Sequence, residues 1–338
     1  MKRFFSIFLL YFTFSILYSS FSFGQLKWQN VDSLFQPLPS SVHIYFTNNP
    51  IDTAPFRAFY LIADLKDKKL EFTVDTAHDR RLTPSIFYQK NNKPLLVVNC
   101  TFFSYETNRS LNVIIKDRRL VAYNPQSVKG KGKDSLLYFY PFRSAIGIND
   151  NGKADVAWLY TDSSKKYPIA FQIPLCESKN GKEISLKLTP KKAMNIRGCM
   201  YDIITRNIII RKWKFKSAIG GGPVLLQGGL QHITNEEEMM FTGKAINDKH
   251  PRTAMGYTKD NKLIILLIEG RNKVAHGATL GQEARIFQDL GCWEALNLDG
   301  GGSSCMLVNG KETIKVSDTT GQRPVPAVFI IRSRGAKK

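Results

Sequence analysis

Hairpins in series, one well-capped helix and the absence of any internal repeat predict an α+β fold. We expect a strand- and hairpin-rich mixed sheet with a few packing helices in a single large domain. Residues 111–115 and 120–123 flank a polar turn. Residues 144–148 and 154–158 flank Asn149-Asp150-Asn151-Gly152, where Asn and Gly tolerate positive φ. Three further pairs follow the same logic: 224–227 with 230–233 around Gly228-Gly229, 254–258 with 263–269 around Asp260-Asn261, and 305–308 with 312–316 around Asn309-Gly310. Residues 263–268 form an unbroken apolar run, the pattern of a strand covered on both faces. Thr279 with Gln282 three residues on makes a capping-box pattern; Leu280, Ala284, Phe287 and Leu290 recur at helical spacing, and Gly291 supplies the stop. A short buried strand, 295–298, then runs into a glycine triplet. Residues 176–192, rich in Lys, Glu, Ser and Gly, read as a surface excursion.

Composition narrows the setting. The 338 residues are 43% hydrophobic and 22% charged, enough chain for a substantial core and no composition for wholesale disorder. Lys and Arg number 48 against 28 Asp and Glu, and the net charge of +20 points to anionic partners. Five cysteines are too few for a disulfide scaffold, and their odd number leaves one unpaired within the chain. Lys2 and Arg3 precede an apolar run over 4–18, and small residues lead to Gly24, the pattern of a secretory signal peptide cut after Gly24. That run is shorter than the roughly 20 continuous apolar residues of a membrane-spanning helix. The expectation is an exported protein, periplasmic or extracellular, without stable membrane insertion after cleavage and without nucleic acid as a partner.

Three constellations could carry chemistry. Asn297-Leu298-Asp299-Gly300-Gly301-Gly302-Ser303-Ser304 places an acid at the end of a buried strand. Three bare glycines after it suit a tight turn or a concavity of N–H groups for an anion, but Asp299 could equally serve its own loop in a plain strand connection. Ile219-Gly220-Gly221-Gly222-Pro223-Val224 leads into a hairpin and by itself reads as a bend ahead of a strand. Neither segment has the spacing of a nucleotide P-loop or a dinucleotide fold. Third, Pro251-Arg252-Thr253-Ala254 opens a strand and Glu269-Gly270-Arg271 closes its partner. Two forked guanidinium groups beside a carboxylate suit an anion clamp, with a solvated Arg–Glu pair as the plain alternative.

Other chemistries find no support. His43, His78, His232, His250 and His276 lack zinc-motif spacing, so no metal site is expected, and Ser303 does not sit in a Gly-x-Ser-x-Gly elbow. Cys292 and Cys305 read as small buried residues or disulfide partners. The alternation in 211–216 reads as a strand with Trp213 and Phe215 on its core face, and Glu236-Glu237-Glu238 as a solvated helix start.

The segment from Thr279 to Ser304 closely resembles the signature of the phosphodiester glycosidase (NAGPA) family. Supporting blocks stand in the family's order. They are Val97-Val98-Asn99-Cys100-Thr101-Phe102-Phe103, residues 219–224, Arg252-Thr253-Ala254-Met255-Gly256 and Ile268-Glu269-Gly270-Arg271. Gly321-Gln322-Arg323-Pro324-Val325 looks like the family's closing strand signal. With the leader pattern assigning 1–24 to a signal peptide, the resemblance implies leading strands over 25–95 and a phosphodiester glycosidase domain over 96–333. It also implies an exported hydrolase that cleaves the glycosidic bond of a sugar-1-phosphodiester, releasing free sugar and a phosphomonoester, with a phosphorylated glycan as partner and neither cofactor nor metal. A non-catalytic phosphoglycan-binding module on the same fold is the alternative.

On that resemblance Asp299, Glu269, Arg252 and Arg271 are the catalytic groups. Asn99, Gly221, Gly222, His276, Gly300, Gly301, Gly302 and Ser303 are the substrate contacts. Glycoside chemistry commonly assigns this work to two carboxylates, and arginine can stabilise phosphate as a leaving group. The chain departs from the family pattern in two places. Cys100-Thr101 stands where two glycines are usual, and Glu269 where Asp is usual, which moves the carboxylate by one methylene.

Overall fold

The computed structural model describes residues 25–130, 135–136, 138–139, 141–174 and 210–334; the expected signal peptide and the 176–192 excursion lie outside them. The chain adopts the expected α+β class, with its strands distributed over three large sheets and a two-stranded one, Val128–Lys129 with Tyr138–Phe139, and every pairing of the described residues is antiparallel. The largest sheet runs in the order Gln29–Asn30, Val42–Thr47, Ala58–Asp64, Lys262–Ile268, Arg252–Thr258, Cys292–Asn297, Val224–Gln227 and Leu230–Gln231. A second is centred on Ala154–Tyr160, Arg143–Ile148 and Ser217–Gly220, and a third on Leu96–Asn99, Ala327–Ser333 and Leu70–Thr76. The leading strands are woven into these sheets: Ala58–Asp64 pairs along its length with Lys262–Ile268, and Leu70–Thr76 with Ala327–Ser333.

The three sheets turn one face each toward a common core. Ile44, Leu61 and Ile265 come from the first, Ile146, Trp158 and Ile219 from the second, and Val98, Phe329 and Val74 from the third. Lys262–Ile268 shows the two-sided burial that its sequence demands: Leu263, Ile265 and Leu267 enter this core, while Ile264, Leu266 and Ile268 enter a second one under the helix Leu280–Asp289. That helix carries the capping box read from the sequence, with Thr279 Oγ1 accepting from the Gln282 amide and the Gln282 side chain accepting from the Thr279 amide. Gly291 closes it at φ +74°.

A second helix, Pro84–Lys90, covers the third sheet through Phe87. Trp213 is buried against the second sheet with Phe215 beside it, but the expected strand over 211–216 is corrected: it ends at Lys212, and Trp213 and Phe215 reach the core from the connection that follows. The Glu236-Glu237-Glu238 run is corrected: it forms a turn, and Glu238 is fully buried. Its carboxylate accepts from the Ser144 amide and hydroxyl, the Val224 amide and the Thr234 hydroxyl, four hydrogen bonds that replace solvent.

Candidate active site

Strand register gathers the candidate residues at one end of the largest sheet. Arg252–Thr258 lies between two neighbours, with Arg252 opposite Ile268 and Ala254 opposite Asn297. Arg252, Glu269 and Asp299 therefore leave the sheet at the same end. The chains converge tightly there: a Cβ on Gly270 would stand 2.9 Å from the Pro251 nitrogen, and one on Gly300 2.7 Å from the Pro251 carbonyl. Glycine is required at both positions for backbone to approach backbone.

Asp299 is fixed by its main chain. Its amide donates to the Cys100 carbonyl (2.9 Å), and its own carbonyl accepts from Asn99 Nδ2 (2.5 Å). Its Oδ2 is shielded from solvent and has no hydrogen-bond partner in the protein. Burial pushes the Asp299 carboxyl up to about 7, against the opposing pull of Ser303, the Arg323 charge and the Gly300 amide. The glycines after it leave room for two guanidinium groups. A Cβ on Gly301 would stand 3.1 Å from Arg271 Nη2, and at Gly302 the Arg323–Asp318 pair fills the space a side chain would need. Ser303 is buried with an unpartnered hydroxyl. An acid of raised pKa thus sits on bare backbone between Arg271 and Arg323.

Arg252 faces the helix side of the sheet. Nε donates to the Ala278 carbonyl (3.0 Å), Nη2 donates to the Asp248 carbonyl (3.2 Å), and the Phe241 ring centroid lies 5.9 Å away. Burial first, and the Arg271 charge after it, depress its pKa, with Glu283 and Asp248 opposing. His250 Nδ1 lies 3.4 Å from Arg271 Nη2, and burial together with Arg252 and Arg271 disfavours its charged form. Glu269 is 1% exposed, accepts from Asn272 Nδ2 (2.9 Å) and has Arg57 at 3.9 Å.

The remaining expected contacts are placed as follows. Asn99 is fully buried and its amide is committed: Nδ2 donates to Asp299, while Oδ1 accepts from the Thr253 hydroxyl and the Cys305 amide, both at 3.0 Å. Gly221 and Gly222 are buried with their amides spent on the Ser144 and Asn297 carbonyls, so this loop presents no free N–H groups to an anion. His276 exposes its side chain, and its main chain anchors to Pro55 and accepts from the Arg271 amide. Sequence reasoning missed Arg323, His250 and Glu283 as site residues. Arg323 lay inside a block read as a strand signal, and Glu283 inside the amphipathic helix. Among the described residues no group of three or more His, Cys, Asp or Glu is placed to hold a metal ion.

Comparison with known proteins bears on the family and the fold. The family described as phosphodiester glycosidase, NAGPA, matches residues 92–332. A prophage-derived protein of Bacillus subtilis, YomE, is 40% identical over 79 residues, a match spanning 23% of this chain and only 12% of that protein. Among solved structures, a hypothetical protein from Synechocystis superposes with TM-score 0.62 at 14% identity, over 91% of this chain and 64% of that one. The catalytic domain of zebrafish N-acetylglucosamine-1-phosphodiester α-N-acetylglucosaminidase, auto-inhibited by its pro-peptide, superposes with TM-score 0.56 at 20% identity. That match covers 92% of this chain and 89% of the zebrafish domain.

Proposed function

The chain belongs to the phosphodiester glycosidase family, and on that premise we propose that it is an exported hydrolase of sugar-1-phosphodiesters. The observation that carries the reading is the Asp299 carboxyl, pushed up to about 7 on a glycine triplet between the Arg271 and Arg323 guanidinium groups. Two planar cations favour a phosphodiester, and a carboxyl that keeps its proton near neutrality can donate it where charge develops. In this reading the C1–O bond breaks as Asp299 protonates the departing phosphate oxygen. Water adds at C1, and Glu269 accepts the proton that water releases. Arg252 completes the cationic lining from the helix side, and Asn99 positions Asp299 through its carbonyl.

The test is a panel of sugar-1-phosphodiesters incubated with the mature protein, with products identified by mass. Asp299→Asn should lower kcat by about 10²–10⁴-fold, the usual span for loss of a general acid, and Arg271→Ala should chiefly raise KM. Free sugar released at undiminished rate by both variants would sink this assignment. Retention of phosphoglycan with no turnover by the wild type would favour the binding-module alternative. Export rests on the leader pattern of residues 1–24. It predicts that protein recovered outside the cytoplasm begins at Gln25.

A further inference from the structure

The helix Leu280–Asp289 turns a carboxyl into the core beside the apolar Leu280, Ala284 and Phe287. Glu283 is 0% exposed, and neither carboxyl oxygen has a hydrogen-bond partner in the protein. Taking such a group out of water without partners is costly, and packing alone would be met by another leucine. The charge that acts on Glu283 is that of Arg252, across the layer between strand and helix, and no hydrogen bond joins the two. The Arg252 guanidinium instead donates to the carbonyls of Ala278 and Asp248, and its other charged neighbours are Arg271 and Asp248. His250 faces the same three groups. Arg252 and Arg271 thus stand against Asp248 and Glu283, and the local balance moves from one net positive charge to none as Glu283 ionises.

Resting on the anion site proposed above, we propose that Glu283 is a proton-linked counter-ion to Arg252. Neutral, it leaves the guanidinium charge to a substrate phosphate; ionised, it compensates that charge and weakens anion binding. Glu283 acts through Arg252 and is a positioning residue, not a catalytic one. Burial pushes its carboxyl up to about 8, with Arg252 opposing, so ionisation sets in above the pH at which Asp299 has already lost its proton. Because an anion on Arg252 disfavours a second negative charge behind it, binding above pH 8 draws a proton onto Glu283. The linkage is reciprocal: the anion raises proton affinity by the factor by which the proton raises anion affinity.

The experiment is calorimetric titration of the full mature chain with dimethyl phosphate, which carries one negative charge throughout this range, at pH 7.5 and 9.5 in buffers of differing ionisation enthalpy. Wild type should bind more weakly as pH rises above 8, with proton uptake on binding; Glu283→Gln should keep only the share that Asp299 contributes, taking up fewer protons at pH 9.5 and losing less affinity between the two pH values. Glu283→Leu, which removes the titrating group in keeping with its apolar neighbours, replaces it should the amide fail to fold. Wild-type binding without proton uptake at pH 9.5, or an unchanged pH dependence in a folded variant, overturns the inference and leaves the anion site standing. Absence of dimethyl phosphate binding at both pH values overturns the anion site itself.

Discussion

Asp299 shows how one side chain serves chemistry at the expense of stability. Its carboxyl is raised from the ordinary value of 3.8 to about 7, so the fold binds this proton more tightly than the unfolded chain does. The stabilising contribution of the neutral form is complete below about pH 4, declines as pH rises and is gone above 7, where burial of the ionised form weighs fully. Asp299→Asn should accordingly match wild type in stability near pH 4 and exceed it at pH 8 by on the order of 2 kcal/mol, read by urea unfolding at the two pH values. Equal stability at both would contradict the buried setting of the carboxyl. Activity should move the same way in wild type, with kcat falling as pH passes about 7 and the acid is lost. Asn99 is the neighbouring case. Its truncation to Ala strands the Cys305 amide, leaves the Thr253 hydroxyl to Ser304 Oγ alone and releases the Asp299 carbonyl. A buried donor left unpaired costs about 1–3 kcal/mol, so Asn99→Ala should lower the unfolding free energy by several kcal/mol. A direct sugar contact alone would leave that value unchanged.

Elements were legible where local chemistry decides them, and less so where tertiary contacts do. Thr279 and Gln282 announce a helix because both capping bonds lie within four residues, and the structure forms both. Thr83 and Pro84 offer a similar signal, with the Thr83 hydroxyl accepting from the Ile86 amide, but Pro84–Lys90 is too short for apolar spacing to register. Glu238 reads as solvated because nothing in its surroundings along the chain reveals Ser144, 94 positions earlier. Thr279→Ala should cost about 1 kcal/mol of stability through the lost cap, measured by thermal unfolding. The cap follows Ala278, whose carbonyl holds Arg252 Nε, so the same variant should raise KM for a sugar-1-phosphodiester more than it lowers kcat.

At the scale of the whole molecule, the site depends on sheets that meet rather than on any contiguous motif. The glycine triplet was visible as a motif, whereas Arg323 against Gly302 and His250 beside Arg271 are brought in by register and loop packing, for which sequence carries no signal in a single chain. Register, in turn, is fixed by the shared core, since slipping one strand by a residue would turn Ile265 and Leu267 out of the first cluster and into the second. The sheets are further tied by Glu294 in Cys292–Asn297, whose Oε2 accepts from the Val156 amide of the second sheet (2.8 Å) and from the Tyr257 hydroxyl (2.5 Å). Trp158, 1% exposed, stands in the cluster to which all three sheets contribute. Its replacement by Ala should cost about 3–5 kcal/mol. Because that core is common to the sheets, loss of near-ultraviolet dichroism and loss of sugar release on heating should coincide at one lowered temperature. Phe87 lies in the separate cluster under Pro84–Lys90, so Phe87→Ala should loosen hydrogen exchange around 84–98 first. A sheet that melts ahead of the others in Trp158→Ala would show that the core does not couple them, and the convergence of Arg252, Glu269 and Asp299 would then need another support.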